Sequence, residues 1–126
     1  MAPEPLPRAE VLVLQTHGRV LAPLIHGLRR RGIHVDLAAG LTDLRDKFLR
    51  AGGHDALILS PDLPRMLCAR AVATVTAVDP RLLVVTFTEE GAALPARRPL
   101  RLHCLHPASP LACGAVVRAL VLRAVL

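Results

Sequence analysis

Short runs of continuous apolar residues alternate along this chain with stretches whose apolar positions recur every three or four residues. Glu10 to Leu14 (EVLVL), Ile33 to Ala38, Asp55 to Leu59 (DALIL), Leu82 to Phe87 (LLVVTF) and Leu100 to Leu105 are of the first kind. They predict five strands, each buried on both faces. Between the first two, Gly18 to Arg31 places Val20, Leu21, Leu24, Ile25 and Leu28 at helical spacing, with Gly32 as the stop. Pro23 removes a donor at the second turn of that helix and shifts its start. Thr42 is the expected N-cap of a helix through Leu44, Phe48 and Leu49 that ends at Gly52-Gly53. Met66 to Val78 predicts a third helix, closed by Asp79-Pro80, and a last one runs from Ser109 or Pro110 to the end.

The order βαβαβαβ, loop, βα predicts a parallel, doubly wound five-stranded sheet in a three-layer α/β/α sandwich. Residues 1–9 read as a flexible Pro-rich lead-in and residues 10–126 as one domain. Sheets of this kind place their sites at the carboxyl ends of strands, where the strand order reverses. Those ends fall on Gln15-Thr16-His17, Ser60-Pro61-Asp62, Thr88-Glu89-Glu90 and His106-Pro107, so function has to be argued from these residues.

Composition narrows the picture. A chain of 126 residues supports one core, and 52% hydrophobic residues exclude a disordered segment. Phe48 and Phe87 are the only aromatics, which argues against a stacking platform for single-stranded nucleic acid. Fifteen Arg and one Lys give a net charge of +6, a balance that favours acidic partners in general. The arginines are scattered, apart from Arg29-Arg30-Arg31 and the group Arg97, Arg98 and Arg101. Cys68, Cys104 and Cys113 form no CxxC pair and read as small hydrophobes in a reducing compartment. The opening MAPEPLPRAE lacks the apolar run of a signal peptide, and no stretch reaches the length of a membrane span. A cytoplasmic location is expected.

At this point the element order and strand-end positions resemble one family, the receiver domain of bacterial two-component response regulators. VLVLQTHG occupies the place of its first strand and acidic tip. DALILSPDLP matches the third strand with its phosphoaccepting Asp and Pro-containing loop. VDPRLLVVTFT matches the fourth strand and switch hydroxyl, and LHPASP the end of the fifth strand. The resemblance implies a flavodoxin-like fold and a role in signalling or regulation.

It also implies that the site is degenerate. The acidic pair that holds Mg²⁺ in the family falls on Gln15 and Thr16, the phosphoaccepting Asp on Ser60, and the pairing Lys on His106. Only Thr88 keeps the family's residue type, and the aromatic switch position falls on His103. Mg²⁺ needs oxygen ligands that offset its charge, and acyl phosphate needs a carboxylate nucleophile beside it. The chain is therefore expected to be a non-catalytic pseudo-receiver with no cofactor and no metal, acting through protein contact. Asp62 is a candidate stand-in acceptor, but Pro61 and the loop are expected to carry it roughly 6–7 Å away. Asp55, at the other end of the strand, reads as a strand-start residue.

Pro95 and Pro99 break the stretch EEGAALPARRPL, so the helix that the family carries between its fourth and fifth strands should be shortened or missing. A basic loop (Arg97, Arg98, Arg101) would then lie beside the final helix. That helix is apolar around most of its circumference. Leu111, Ala115, Leu120, Leu122 and Val125 cannot all face the sheet together with Ala112, Val116, Ala119 and Val121. A second copy of the chain, or another protein, is expected to cover the excess, with Leu111, Ala115 and Leu122 at the interface.

Rival readings carry less. A Ser60–His–Asp62 hydrolase, using His17 or His106, lacks the GxSxG turn that exposes the nucleophile on such sheets. Strand alternation argues against a zinc site from His17, Cys104 and His106, and His26, His34 and His54 read as surface residues. THGRVLAPLIHGLRRRGIHVDLAAG is similar to the opening of two-domain glycosyltransferases, but the chain has no room for the second domain. It is also loosely similar to cobalamin-binding domains, whose His-x-x-Gly spacing fails here. A small ligand or atypical phosphoryl group at Ser60, Thr88 and His106 is the leading alternative. Direct DNA contact would rest on the arginine loop alone and be largely non-specific.

Overall fold

Five strands, Glu10–Leu14 (β1), His34–Ala38 (β2), Ala56–Leu59 (β3), Leu83–Phe87 (β4) and Arg101–Cys104 (β5), form one parallel sheet in the order β2-β1-β3-β4-β5. Four helices accompany them: Ala22–Arg30 (α1), Leu41–Arg50 (α2), Arg65–Val78 (α3) and Pro110–Val125 (α4). The computed structural model describes residues 9–16, 19–87, 101–104 and 110–125, with the backbone alone at 101–104, 110, 124 and 125. The stretch between β4 and β5, where a shortened or missing helix was expected, lies outside the described residues, as does the 1–8 lead-in.

The alternation of side chains along the strands divides the core into two. Val11 and Val13 of β1, Ile58 of β3 and Val85 and Phe87 of β4 pack with Leu24, Ile25 and Leu28 of α1 and Ala112, Val116 and Leu120 of α4. Leu12 and Leu14, Leu57 and Leu59, and Val84 pack on the opposite face with Leu44 and Phe48 of α2 and Ala71 and Val75 of α3. Each inner strand is thus apolar on both sides, which is why its sequence reads as an unbroken apolar run.

Local chemistry sets the element ends. Gly32 (φ 80°) follows α1 and Gly52 (φ 75°) follows α2. Behind each, an amide reaches back over the last turn, Ile33 N–H to Leu28 O at 3.2 Å and Gly53 N–H to Phe48 O at 2.8 Å. This is the Schellman closure that a left-handed residue permits. Two starts differ from expectation. Helix α1 begins at Ala22, four residues after Gly18, because Pro23 has no N–H to bond and fits the first turn, where amides lack intrahelical partners. Thr42 is inside α2, whose N-cap is Gly40; there the Asp43 carboxylate accepts the Ala39 N–H at 3.0 Å.

Two further expectations are corrected. Arg101 is the first residue of β5, in register with Val84, and so belongs to the sheet rather than to a basic loop. His54, expected at the surface, is buried. Its Nε2 donates to Asp36 at 2.8 Å and its ring stacks on Phe48 with centroids 5.8 Å apart.

At the amino-terminal end of the sheet, Arg123 in the last turn of α4 ties three elements together. Its guanidinium meets Asp55 at 3.0 Å and Asp79 at 3.2 Å, and its Nε donates to Arg81 O at 3.0 Å. Asp55 also accepts the Glu10 N–H at 2.8 Å. It is a strand-start residue on the far side of the sheet from the strand-end residues, as expected.

Candidate functional site

Strand β1 has β2 on one side and β3 on the other, so the connections leaving β1 and β3 diverge to opposite directions. A crevice opens at such a reversal, beyond the carboxyl ends of these strands. Gln15 and Ser60 are the first residues past those ends. Their backbones continue the ladder: Gln15 N–H donates to Ala38 O and Ser60 N–H to Leu14 O, both at 3.1 Å. Both positions were identified from the sequence, and the structure brings them together.

Ser60 is buried, 2% exposed. Its hydroxyl donates to the carboxylate of Asp62. This corrects the expectation that Pro61 would carry Asp62 away. Residues 61–62 form a turn after β3, and that turn folds the carboxylate back onto the serine instead of extending it past the strand. The sequence spacing was visible; the turn was not. Among the described residues the crevice therefore holds one carboxylate, where uncharged groups alone were anticipated.

Asp62 also acts on its other side. Burial pushes the Cys68 thiol above its ordinary value of 9.0, and the charge of Asp62 pushes it further. Cys68 is free, half-buried and packed against the core, so it is a filler rather than a nucleophile.

Gln15 is partly buried and Thr16 is exposed. The Gln15 Oε1 is buried and has no hydrogen-bond partner among the described residues. An unpaired buried amide oxygen leaves an acceptor aimed at no donor, a costly arrangement unless something fills it. Among the described residues, no group of three His, Cys, Asp or Glu side chains is placed to hold a metal ion.

The remaining expected site residues are distributed unevenly. Thr88, His106, His17, Arg97 and Arg98 lie outside the described residues. His103 is in β5, in register with Thr86. On α4, Leu111 is 79% and Leu122 58% exposed, whereas Ala115 packs against the core beneath it. Ala115 therefore contributes to the sheet side, and among the described residues the apolar excess of α4 reduces to Leu111, Leu122 and Val121. Residues 111 and 122 are eleven positions apart, three turns, and so share one helix face.

No family model matches the chain, and no curated protein matches it. Solved structures do. The receiver domain of a Saccharomyces cerevisiae response regulator, crystallised with a histidine phosphotransfer signalling protein, superposes with a TM-score of 0.70 at 16% identity, covering 95% of this chain and 93% of that one. The N-terminal domain of a response regulator/sensory box/GGDEF protein from Carboxydothermus hydrogenoformans gives 0.67 at 14% identity, with 92% and 95% covered. Chemotaxis protein CheY4 of Vibrio cholerae gives 0.66 at 19% identity, with 95% and 100% covered. With its strand order and these likenesses over nearly its whole length, the chain has the fold of a response-regulator receiver domain.

Proposed function

We propose that this protein is a phosphorylation-independent pseudo-receiver, non-catalytic and cytoplasmic, that signals or regulates by binding another protein. The observation that carries the reading is Ser60: at the acceptor position stands a buried hydroxyl already donated to Asp62. Among the described residues no imidazole or amine faces that hydroxyl, and it is the hydroxyl of Ser60, not a carboxylate, that stands where the family forms its acyl phosphate. Among the described residues Asp62 supplies one carboxylate and Gln15 and Thr16 supply none, so the acidic pair that would hold a divalent cation is not assembled there.

Protein binding is supported by surface and by analogy of fold. Leu111 and Leu122 present exposed apolar side chains on one face of α4, the kind of surface that a partner or a second copy covers. The yeast receiver domain was crystallised with its signalling partner, which shows the fold in a protein complex. Among the described residues no helix is long and apolar enough to cross a membrane.

The test is incubation with Mg²⁺ and a small acyl phosphate, followed by intact mass measurement. No gain of a phosphoryl group is expected; Mg²⁺-dependent labelling of Asp62 or Ser60 overturns the proposal. Sizing across a range of concentrations tests self-association, with Leu122→Glu as the disrupting variant. A wild-type monomer at every concentration removes the homodimer and leaves a different protein as partner.

One observation favours a second reading. The orphaned Gln15 Oε1 suits a small ligand bearing a hydrogen-bond donor at the strand-end crevice. Titration with a phosphoryl mimic and Mg²⁺, followed by NMR, separates the two: saturable shifts at Ser60, Thr88 and His106 favour the ligand.

A further inference from the structure

We infer that the outer edge of β2 is closed to strand addition by the chain's own side chains, with Arg29 and Lys47 as guards that keep a second copy from pairing there. This goes beyond the reading above and concerns a different surface from α4, which packs on α1, β4 and β5.

Strand β2 ends the sheet: among the described residues it has β1 on one side and no strand on the other. His34 N–H donates to Ala9 O, and Ala38 O accepts Gln15 N–H, both at 3.1 Å. A parallel ladder joins alternate residues of a strand to the same neighbour. His34, Asp36 and Ala38 therefore bond β1, and the amides and carbonyls of Val35 and Leu37 point away from it. Such a row is a template for another strand.

The row is already engaged. Arg29 of α1 donates from Nη2 to Val35 O at 3.0 Å. Lys47 of α2, the sole lysine of the chain, donates from Nζ to Leu37 O. Asp43, one turn before it, lies 3.4 Å from Nζ and accepts the N–H of Ala39, the next outward residue, at 3.0 Å. Helices α1 and α2 cover opposite faces of the sheet, so two cations reach the same edge from both sides.

Water would satisfy exposed carbonyls nearly as well, so these bonds add little stability. What they change is access. An incoming strand needs the Val35 and Leu37 carbonyls as acceptors, and it must first displace both cations. A second copy brings the same two cations to the same edge. In an antiparallel pairing about Asp36, Arg29 of one chain would meet Lys47 of the other, and like charges set opposite each other repel.

The experiment uses the full chain carrying Leu122→Glu as parent, so that α4 does not contribute. Arg29→Met with Lys47→Met keeps the apolar stems and removes the donors. Sizing is expected to show a mass that rises with concentration, absent from the parent. Hydrogen exchange is expected to be fast at the Val35 and Leu37 amides of the parent and slowed in the paired variant. Arg29→Lys with Lys47→Arg keeps both charges and should behave as the parent. Lys47→Met alone, at a side chain 38% exposed, should give a smaller rise and decides the matter if the paired change does not fold. No rise in either methionine variant, a rise without protection at Val35 and Leu37, an equal rise with the charges kept, or slow exchange of both amides in the parent would each overturn the inference.

Discussion

Ser60 joins two properties that would conflict in a phosphoacceptor, since it is closed off from solvent and its hydroxyl is committed to Asp62. Asp62 is itself exposed and can recover water if the bond is lost. Ser60→Ala is therefore expected to cost only about 0.5–1.5 kcal/mol of stability in urea denaturation, the range of an ordinary hydrogen bond. A larger loss would show that the pair braces the strand end. Asp36 offers a pH-dependent counterpart. Burial raises its carboxyl, but hydrogen bonds and charge from His54 and His34 outweigh burial and hold it below its ordinary value of 3.8. A carboxyl depressed by folding stabilises fully above its unfolded value and loses that contribution as pH falls through the lower folded value. Asp36→Asn should thus lower stability at neutral pH and flatten the decline between about pH 5 and pH 3, read from denaturant midpoints.

Between elements, the closest constraint is where α1 meets α4. A Cβ at Gly27 would stand 3.0 Å from Cys113 Sγ and 3.5 Å from its Cβ, so two small residues set the spacing of the helices. Alanine at position 27 would gain about 1 kcal/mol of helix propensity. It would lose about 1–3 kcal/mol to overpacking. Gly27→Ala is expected to be net destabilising by roughly 1 kcal/mol, and Cys113→Ala in the same chain to turn the change into a gain. The two melts together distinguish crowding from a loss of chain flexibility. Glycine, proline and apolar spacing made most of these elements legible beforehand. Gly32 and Gly52 close helices where expected, and Ala56–Leu59 lies inside the apolar run DALIL. Thr42 misled because a capping residue type is informative only if the chain enters the helix at that position, and α2 begins one residue earlier.

Across the whole molecule, the two ends of the sheet differ in what holds them. At the amino-terminal end, Arg123 links α4 to Asp55 before β3 and to Asp79 and Arg81 after α3. Arg123→Met keeps the apolar stem and removes the charge-assisted bonds. Because Asp55 and Asp79 are each about one-third exposed, the expected loss is discounted to about 1–2 kcal/mol. It should shrink at high salt in thermal unfolding. At the carboxyl end, the crevice is framed by the residues following β1 and β3, where Ser60 and the orphaned Gln15 amide lie next to one another.

Taken alone, the order of residues determined the alternation of strands and helices, the two-faced burial of the inner strands and the absence of acidic residues at Gln15 and Thr16. These follow from side-chain periodicity and residue type, which are properties of neighbours along the chain. Only the tertiary structure decided that Asp62 turns back onto Ser60, that His54 is buried against Phe48 and Asp36, and that Ala115 is spent on the core. Each depends on groups brought together from separate elements, or on the path of a turn. Backbone direction at one loop and the packing of one helix on another are not written in any local pattern.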